Sequence, residues 1–512
     1  MRRILLLFLS AFAVMTAMAD GNVIEIWTVA QLKALRDNVN LQSGNDTYAG
    51  KTVKLMTDLT ISDNTWVPIG LDNDTHSFQG TFDGQGYTIT LTGVTGNTAV
   101  LGVFGYVGSS GVIKNLKVAG SIANTETGST TYTGGIAGNN YGTIQQCANL
   151  ANITGRYDVG GIAGENRGTI TNCYNQGYIG GTGSETTSKF LGGIVGDNQS
   201  PGTITYCYAK CDIEDEGTKG GIVANNNGPV SNCSFDVTLY NTSNKLTDST
   251  TLTGNALKSD LDNSIWTFTD GQLPELTVIK NKIIRLGNTI DNSSIITAYN
   301  GQTNTVELSG RTLNKGKWNT LCLPFSLSSA QITNVFGAGT LVKTLSSYTN
   351  NGTTVTISFT TANSIEAGKP YIVMPTIDIT NPVSFTGVTI DETINNVTDG
   401  DATFKGNYAP VDLTADDKTR LFLSSNKLYY PTAAVTVKPF RAYFELTNPV
   451  PTTTGAPNLV IDFGEETTGV GELRIENRRI ENSFYDLQGR RLNGKPTQKG
   501  IYIHHGKLEV LK

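Results

Sequence analysis

The sequence predicts an all-β chain: a right-handed parallel β-helix, then a β-sandwich, then a short β tail at the C-terminus. Three observations predict it. A glycine-opened cassette recurs four times between Gly134 and Leu239, short alternating strands run from about Val306 to Phe463 between Gly, Pro, Asn and Asp turns, and long helical patterns are nearly absent. A repeat period this short means stacked structural units, not a globular enzyme core.

Residues 1–19 have the form of a secretory signal. Arg2 and Arg3 precede an apolar run from Ile4 to Met15, and Ala17-Met18-Ala19 forms a small-residue cleavage site, so cleavage is expected after Ala19. The apolar run is too short for a stable span, and no transmembrane segment is expected in the mature chain. Composition agrees with export of a β-rich protein. Charged residues are 16%, glycines number 57, and a net charge of −6 leaves no basic stripe for nucleic acid.

Residues 20–281 are expected to form the solenoid. Thr28-x-x-Gln31 reads as a capping box opening a short helix through about Asn38, whose Val29, Leu32 and Leu35 would cover the first coil. The repeats then follow fixed offsets. Ile144, Ile170, Ile204 and Val230 each stand three residues before Cys147, Cys173, Cys207 and Cys233, and Ile153, Ile179, Ile213 or Leu239 follows six residues later. Ile113, Leu116 and Ile122 fit a fifth, degenerate rung. Constant offsets mean that every copy follows one path and buries the same side chains on the coils above and below. Glycines mark the turns and close approaches, and Asn139, Asn140, Asn166, Asn198, Asn225 and Asn226 flank them, as turn chemistry and Asn stacking favour.

The cassettes GGIAGNNYGTIQQCANLANI and GGIAGENRGTITNCYNQGYI resemble the GLUG-motif repeat of bacterial surface and secreted proteins. Upstream, the stretches from Trp66 to Gly70, Phe78 to Ile89 and Leu101 to Gly105 resemble the coils preceding such repeats. WTFTDGQLPEL, from Trp266 to Leu276, resembles their closing element. The resemblance implies a parallel β-helix and an exported protein, and it implies no particular activity.

Between coils the connectors vary in length at one place only, short in TGRYDV and EDEGTK and long in ANTETGSTTYT and GGTGSETTSKF. That puts the variable loops along one edge, where solenoids usually carry binding. The candidate binding residues there are Tyr132, Arg156, Tyr157, Phe190, Asp212, Glu214, Asp215 and Glu216. The edge reads either as a solvated loop row or as a site for a host or bacterial glycan or a matrix protein. The cysteines also have two readings. Export permits disulfides, yet equivalent rungs would hold Cβ atoms about 4.8 Å apart, beyond the ~3.8 Å a disulfide prefers, so a buried thiol ladder fits better. Cys211, four residues after Cys207, could depart from that ladder, and Cys322 has no evident partner.

Residues 282–304, rich in Asn, Ser and Thr, read as a linker, and 305–465 as a β-sandwich. GKWNTLCLPF from Gly316 and FRAYF from Phe440 resemble a module of exported proteins from Bacteroides-type bacteria, and its aromatics are expected in the core. Residues 466–512, with FYDLQGRR from Phe484 and KGIYI from Lys499, resemble the sorting tail of type IX secretion. That resemblance implies export machinery as a partner and a location at the cell surface, in the outer membrane or outside the cell. A plain β-hairpin cap is the other reading of the tail.

Catalytic patterns are sparse. His76, His504 and His505 are the three histidines, and they make no H-E-x-x-H; G-x-S-x-G and P-loop motifs are absent. Asp83 in Asp-Gly-Gln-Gly reads as a turn residue. Asp72-Asn73-Asp74 and Asp399-Gly400-Asp401 offer oxygen ligands for calcium without completing a ligand loop, and no other cofactor is expected. The expectation is a non-enzymatic adhesin or glycan- or protein-binding β-helix on a sandwich stalk. The alternative is a polysaccharide-degrading β-helix enzyme, which would need carboxylates clustered on one coil face.

Overall fold

Val53, Phe82, Ile113, Ile144, Ile170, Ile204 and Val230 stand in register, each on the strand beside the last, and all but the half-buried Val230 are sealed from solvent. The computed structural model describes residues 22–464, except 63–65, 73–74, 128–129, 183–188, 214–216, 236–260, 270–271, 425 and 450–457, and the tail strands 484–485, 500–504 and 507–511. The signal segment 1–19 and residues Glu214, Asp215 and Glu216 lie outside the described residues. No helix among the described residues is long and apolar enough to cross a membrane.

The solenoid is parallel throughout, as the repeat requires. One sheet of eight strands runs from Val23–Ile26 through Thr52–Leu55, Thr81–Asp83, Val112–Lys114, Thr143–Gln145, Thr169–Thr171 and Thr203–Thr205 to Val230–Ser231. The degenerate rung is real: Ile113 pairs beside Ile144, Ile122 beside Ile153, and Leu116 is buried. The stack also extends three rungs further upstream, with Phe82, Val53 and Ile24 in the isoleucine place.

Two polar ladders run inside this apolar stack. Asn140 Nδ2 donates to Asn166 Oδ1, Asn166 to Asn198 and Asn198 to Asn226, each at 2.8 Å. Asn149 Nδ2 donates to Asn175 Oδ1 at 2.8 Å in the same way. Asn140, Asn149, Asn166 and Asn175 also each accept from the backbone N–H two residues on, which satisfies a turn group along with the ladder. All six cysteines are buried, and none is in a disulfide. Cys147 N–H donates to Cys173 Sγ and Cys173 N–H to Cys207 Sγ, each at 3.4 Å, which is the thiol ladder. Burial pushes the Cys173 and Cys207 thiols well above their ordinary range. These thiols should therefore resist a disulfide reagent until the chain unfolds, and the melting temperature should be the same with and without reductant. A lower melting temperature on reduction would reveal a bridge.

Thr28 caps the helix Val29–Val39 by the expected box with Gln31, and Leu32 and Leu35 are buried in the solenoid core. After the last coil the chain turns back. The hairpin of Trp266–Thr267 with Glu275–Leu276 lies on the outer flank, where Trp266 packs on the stacked rings of Tyr174 and Tyr208 and donates to Asn172 Oδ1 at 3.1 Å. The closing element thus covers a side of the solenoid. Val278 then reaches the first coils, its carbonyl lying where a methyl on Gly86 would stand, 2.2 Å away.

The segment 282–304 departs from the linker reading. It contains the strand Ile284–Gly287 and the helix Ser293–Ala298, and Ile284, Leu286, Ile295 and Ile296 are buried. Its Asn292 ties the Gly287 turn to Tyr408 O, while these apolar residues share a core with Trp27 and Met56 of the first two coils. Lys282 Nζ pairs with Asp58 at 2.8 Å and lies over the Tyr299 ring, and Tyr299 Oη also donates to Asp58. Solenoid and sandwich accordingly form one compact unit through Asp462.

The sandwich has two five-stranded sheets. One orders Asn319–Cys322, Pro370–Met374, Leu341–Asn350, Thr354–Thr361 and Asn458–Asp462; the other orders Val397–Asp399, Ala402–Asn407, Arg441–Leu446, Arg420–Ser424 and Lys427–Tyr429. Phe359 packs edge-on against Phe404 and Phe444, which stack at 4.5 Å. Trp318, Phe325, Tyr371 and Phe440 are buried, as a core role requires. The tail, a separate unit, holds a three-stranded antiparallel sheet of Phe484–Tyr485, Gly500–His504 and Lys507–Leu511.

Candidate functional site

Two columns of the repeat meet beside the variable connectors. In one sheet Val100, Tyr132, Asp158, Phe190 and Thr218 stand in register; in the next Tyr106, Asn139, Glu165, Asp197 and Asn225 do. The Gly-Gly-Ile bend between the two sheets folds one strand against the other. Gly164 permits the close approach, because a methyl there would stand 2.4 Å from Thr133 N and 2.8 Å from Asp158 O. Two residues seven apart, Asp158 and Glu165, therefore come together, and the next coil adds Asp197.

Oxygens of these three carboxylates lie within 4.8 Å of one another. The residues are only 8%, 4% and 7% exposed, so little water screens them. Two of the three are well supplied with donors. Glu165 Oε1 accepts from Arg167 Nε at 2.6 Å and Asn139 Nδ2 at 3.1 Å, and the Tyr132 hydroxyl also hydrogen-bonds Glu165. Asp197 accepts from Gln199 Nε2 at 2.7 Å and Asn225 Nδ2 at 3.0 Å. The Asp158 carboxylate has no hydrogen-bond donor or cation among the described residues. Burial, then the charges of Asp197 and Glu165, push it up to about 8. Burial also raises Asp197, against the bonds from Gln199 and Asn225. Burial raises Tyr132 far above the phenol range, with Glu165 and Asp158 adding to it.

The sequence-level candidates divide around this cluster. Tyr132 joins it directly, and Phe190 is the strand neighbour of Asp158 on the other side. Arg156 lies over the ring of Tyr157 at 5.3 Å and hydrogen-bonds Thr127 O across to the neighbouring coil. Asp212 is exposed, sits by the pairing of Ile179 with Ile213, and takes no part in the cluster. Asn139, grouped with the turn asparagines, instead faces Glu165, while Asn140 enters the ladder.

Asp158, Glu165 and Asp197 were not among those candidates. The cassettes do align Glu165 and Asp197 in one column, in GEN and GDN, and Asp158 in the column of Tyr132 and Phe190. The contact between the columns depends on the bend, which the spacing does not reveal. The sequence-level calcium candidates serve turns. Asp72 accepts from Thr75 N, His76 N and His76 Nδ1, while Asn73 and Asp74 lie outside the described residues. Asp399 accepts from Tyr348 N at 2.7 Å and Asp401 from Asn448 Nδ2 at 3.3 Å, at opposite sides of a hairpin tip. Asp83 accepts from Gln85 N and Asn115 Nδ2, a turn role as expected.

No family model matches the chain. A stretch of 82 residues, 15% of the chain, is 37% identical to a protein of Evansella cellulosilytica named "Putative Gly-rich membrane protein". The match spans about 9% of that relative's length. Among solved structures, one described as a "putative immunoglobulin A1 protease" from Bacteroides ovatus aligns with 51% of this chain and 94% of its own, at 18% identity and a TM-score of 0.38.

Proposed function

We propose that the protein is an exported, surface-displayed binding protein whose solenoid edge takes a glycan or matrix protein and whose chemistry stops at binding. The observation that carries this reading is the register Tyr132–Asp158–Phe190, two aromatic rings flanking a carboxylate where the variable-length connectors enter the coils. Ring faces suit the apolar faces of sugars, and carboxylates accept hydrogen bonds from their hydroxyls. The signal-like segment 1–19, the GLUG resemblance and the tail's likeness to a sorting domain support an extracellular setting. Because Trp27 and Met56 are buried against the sandwich, the test uses the whole chain from residue 20. Probed on an array of glycans, mucins and matrix proteins, it should bind saturably without releasing sugar. Phe190→Ala should weaken binding about tenfold, corresponding to about 1.4 kcal/mol, and leave melting nearly unchanged. Undiminished binding in that variant would remove this edge from recognition.

One observation favours a second reading. The three carboxylates gathered on one coil face are what a polysaccharide-degrading β-helix needs. That reading requires new reducing ends or unsaturated products in the eluates, lost in Glu165→Gln.

A further inference from the structure

We infer that Asp158, Glu165, Asp197 and the side-chain carbonyl of Asn139 form a divalent-cation site of calcium type. The inference stands apart from the glycan reading and survives its failure. Four features of the cluster point to a hard cation. The donor set is all oxygen. The carboxylate oxygens lie within 4.8 Å of one another, the span across a sphere whose radius is about 2.4 Å, the calcium–oxygen distance. The Asp158 carboxylate is directed at two other carboxylates and has no donor among the described residues. Independently of the acids, Asn139 is 2% exposed, and its Oδ1 has no hydrogen-bond partner although its Nδ2 donates to Glu165. A buried carbonyl without a donor costs about 1–3 kcal/mol, and a cation beside Glu165 would give this one a partner.

The donors already present leave room for an ion. Arg167 and Asn139 occupy one oxygen of Glu165, whose carboxylate also takes the Tyr132 hydroxyl, and Gln199 and Asn225 contact one oxygen each of Asp197. Every carboxylate oxygen has two lone pairs, so acceptor capacity remains on both groups. The position also gives the ion a structural consequence. Asn139, Glu165 and Asp197 come from three successive coils. A bound dication would tie those coils together at the edge where the connectors leave, and so hold Tyr132 and Phe190 at a set spacing.

The test uses the full chain from residue 20, stripped with chelator and titrated with calcium chloride alone by calorimetry. Folding of every variant is checked by circular dichroism. The expected result is saturable uptake of one ion per chain and a higher melting temperature with calcium. Asp158→Asn and Glu165→Gln should each weaken uptake at least tenfold, and Asp399→Asn should leave it unchanged. No saturable uptake by the folded wild-type chain up to about 10 mM calcium, beyond the ~10⁻³ M of weak extracellular sites, overturns the inference. So does uptake that persists unchanged in both cluster variants.

Discussion

Asn166→Ala is expected to lower the stability of the solenoid by about 3–5 kcal/mol, whereas Asn226→Ala should cost under about 1 kcal/mol. The two residues occupy one ladder and differ in what surrounds them. Asn166 is fully buried, accepts from Asn140 Nδ2 and Gly168 N, and donates to Asn198 Oδ1 and Gly168 O. Truncating it removes these bonds and strands Asn198 Oδ1 and a donor of Asn140 in a site without water. Each buried group left unmet costs about 1–3 kcal/mol, and a small cavity adds to that. Asn226 ends the ladder and is exposed, so water replaces what its side chain supplied. The measurement is the denaturant midpoint of the solenoid's unfolding transition in each variant. Equal shifts would mean that the asparagines act only as local turn formers.

Much of this architecture is legible because stacking makes the sequence repeat itself. Ile144, Ile170 and Ile204 recur at one offset from Cys147, Cys173 and Cys207, since every coil must fill the same inner space. The Thr28–Gln31 box is equally legible, being a local bond set within four residues. What fails to show is what depends on contacts between unlike parts. The segment 282–304 reads as a linker from its Asn, Ser and Thr, because nothing local says that Ile284 and Leu286 share a core with Trp27 and Met56 of the first two coils. The carboxylate cluster is hidden for the same reason. Asp158 belongs to the column of Tyr132, Glu165 and Asp197 to that of Asn139, and only the Gly-Gly-Ile bend brings the columns together. A repeat displays what each coil shares and conceals the few substitutions that make one coil different.

The second glycine of each Gly-Gly pair is where that bend is most exposed to test. Gly161→Ala is expected to cost about 3 kcal/mol or more. The added methyl would stand 2.3 Å from Asn175 Cγ, 2.6 Å from Asn175 Cβ and 2.4 Å from Gly193 O. No staggered rotamer choice relieves contacts with a neighbouring backbone oxygen, so adjacent coils must separate locally. Asn175 must also shift, breaking its 2.8 Å bond from Asn149. By contrast Gly352→Ala, where nothing stands within 4 Å but φ is +87°, should cost only about 1–2 kcal/mol of backbone strain. A double-mutant cycle separates the causes at Gly161. Asn175→Ala removes the Cγ collision but leaves its Cβ and the Gly193 carbonyl in place, so the double variant should recover part of the loss and not all of it. Strict additivity would show that Asn175 is not what the methyl strikes, and full recovery would show that the neighbouring backbone has room to yield.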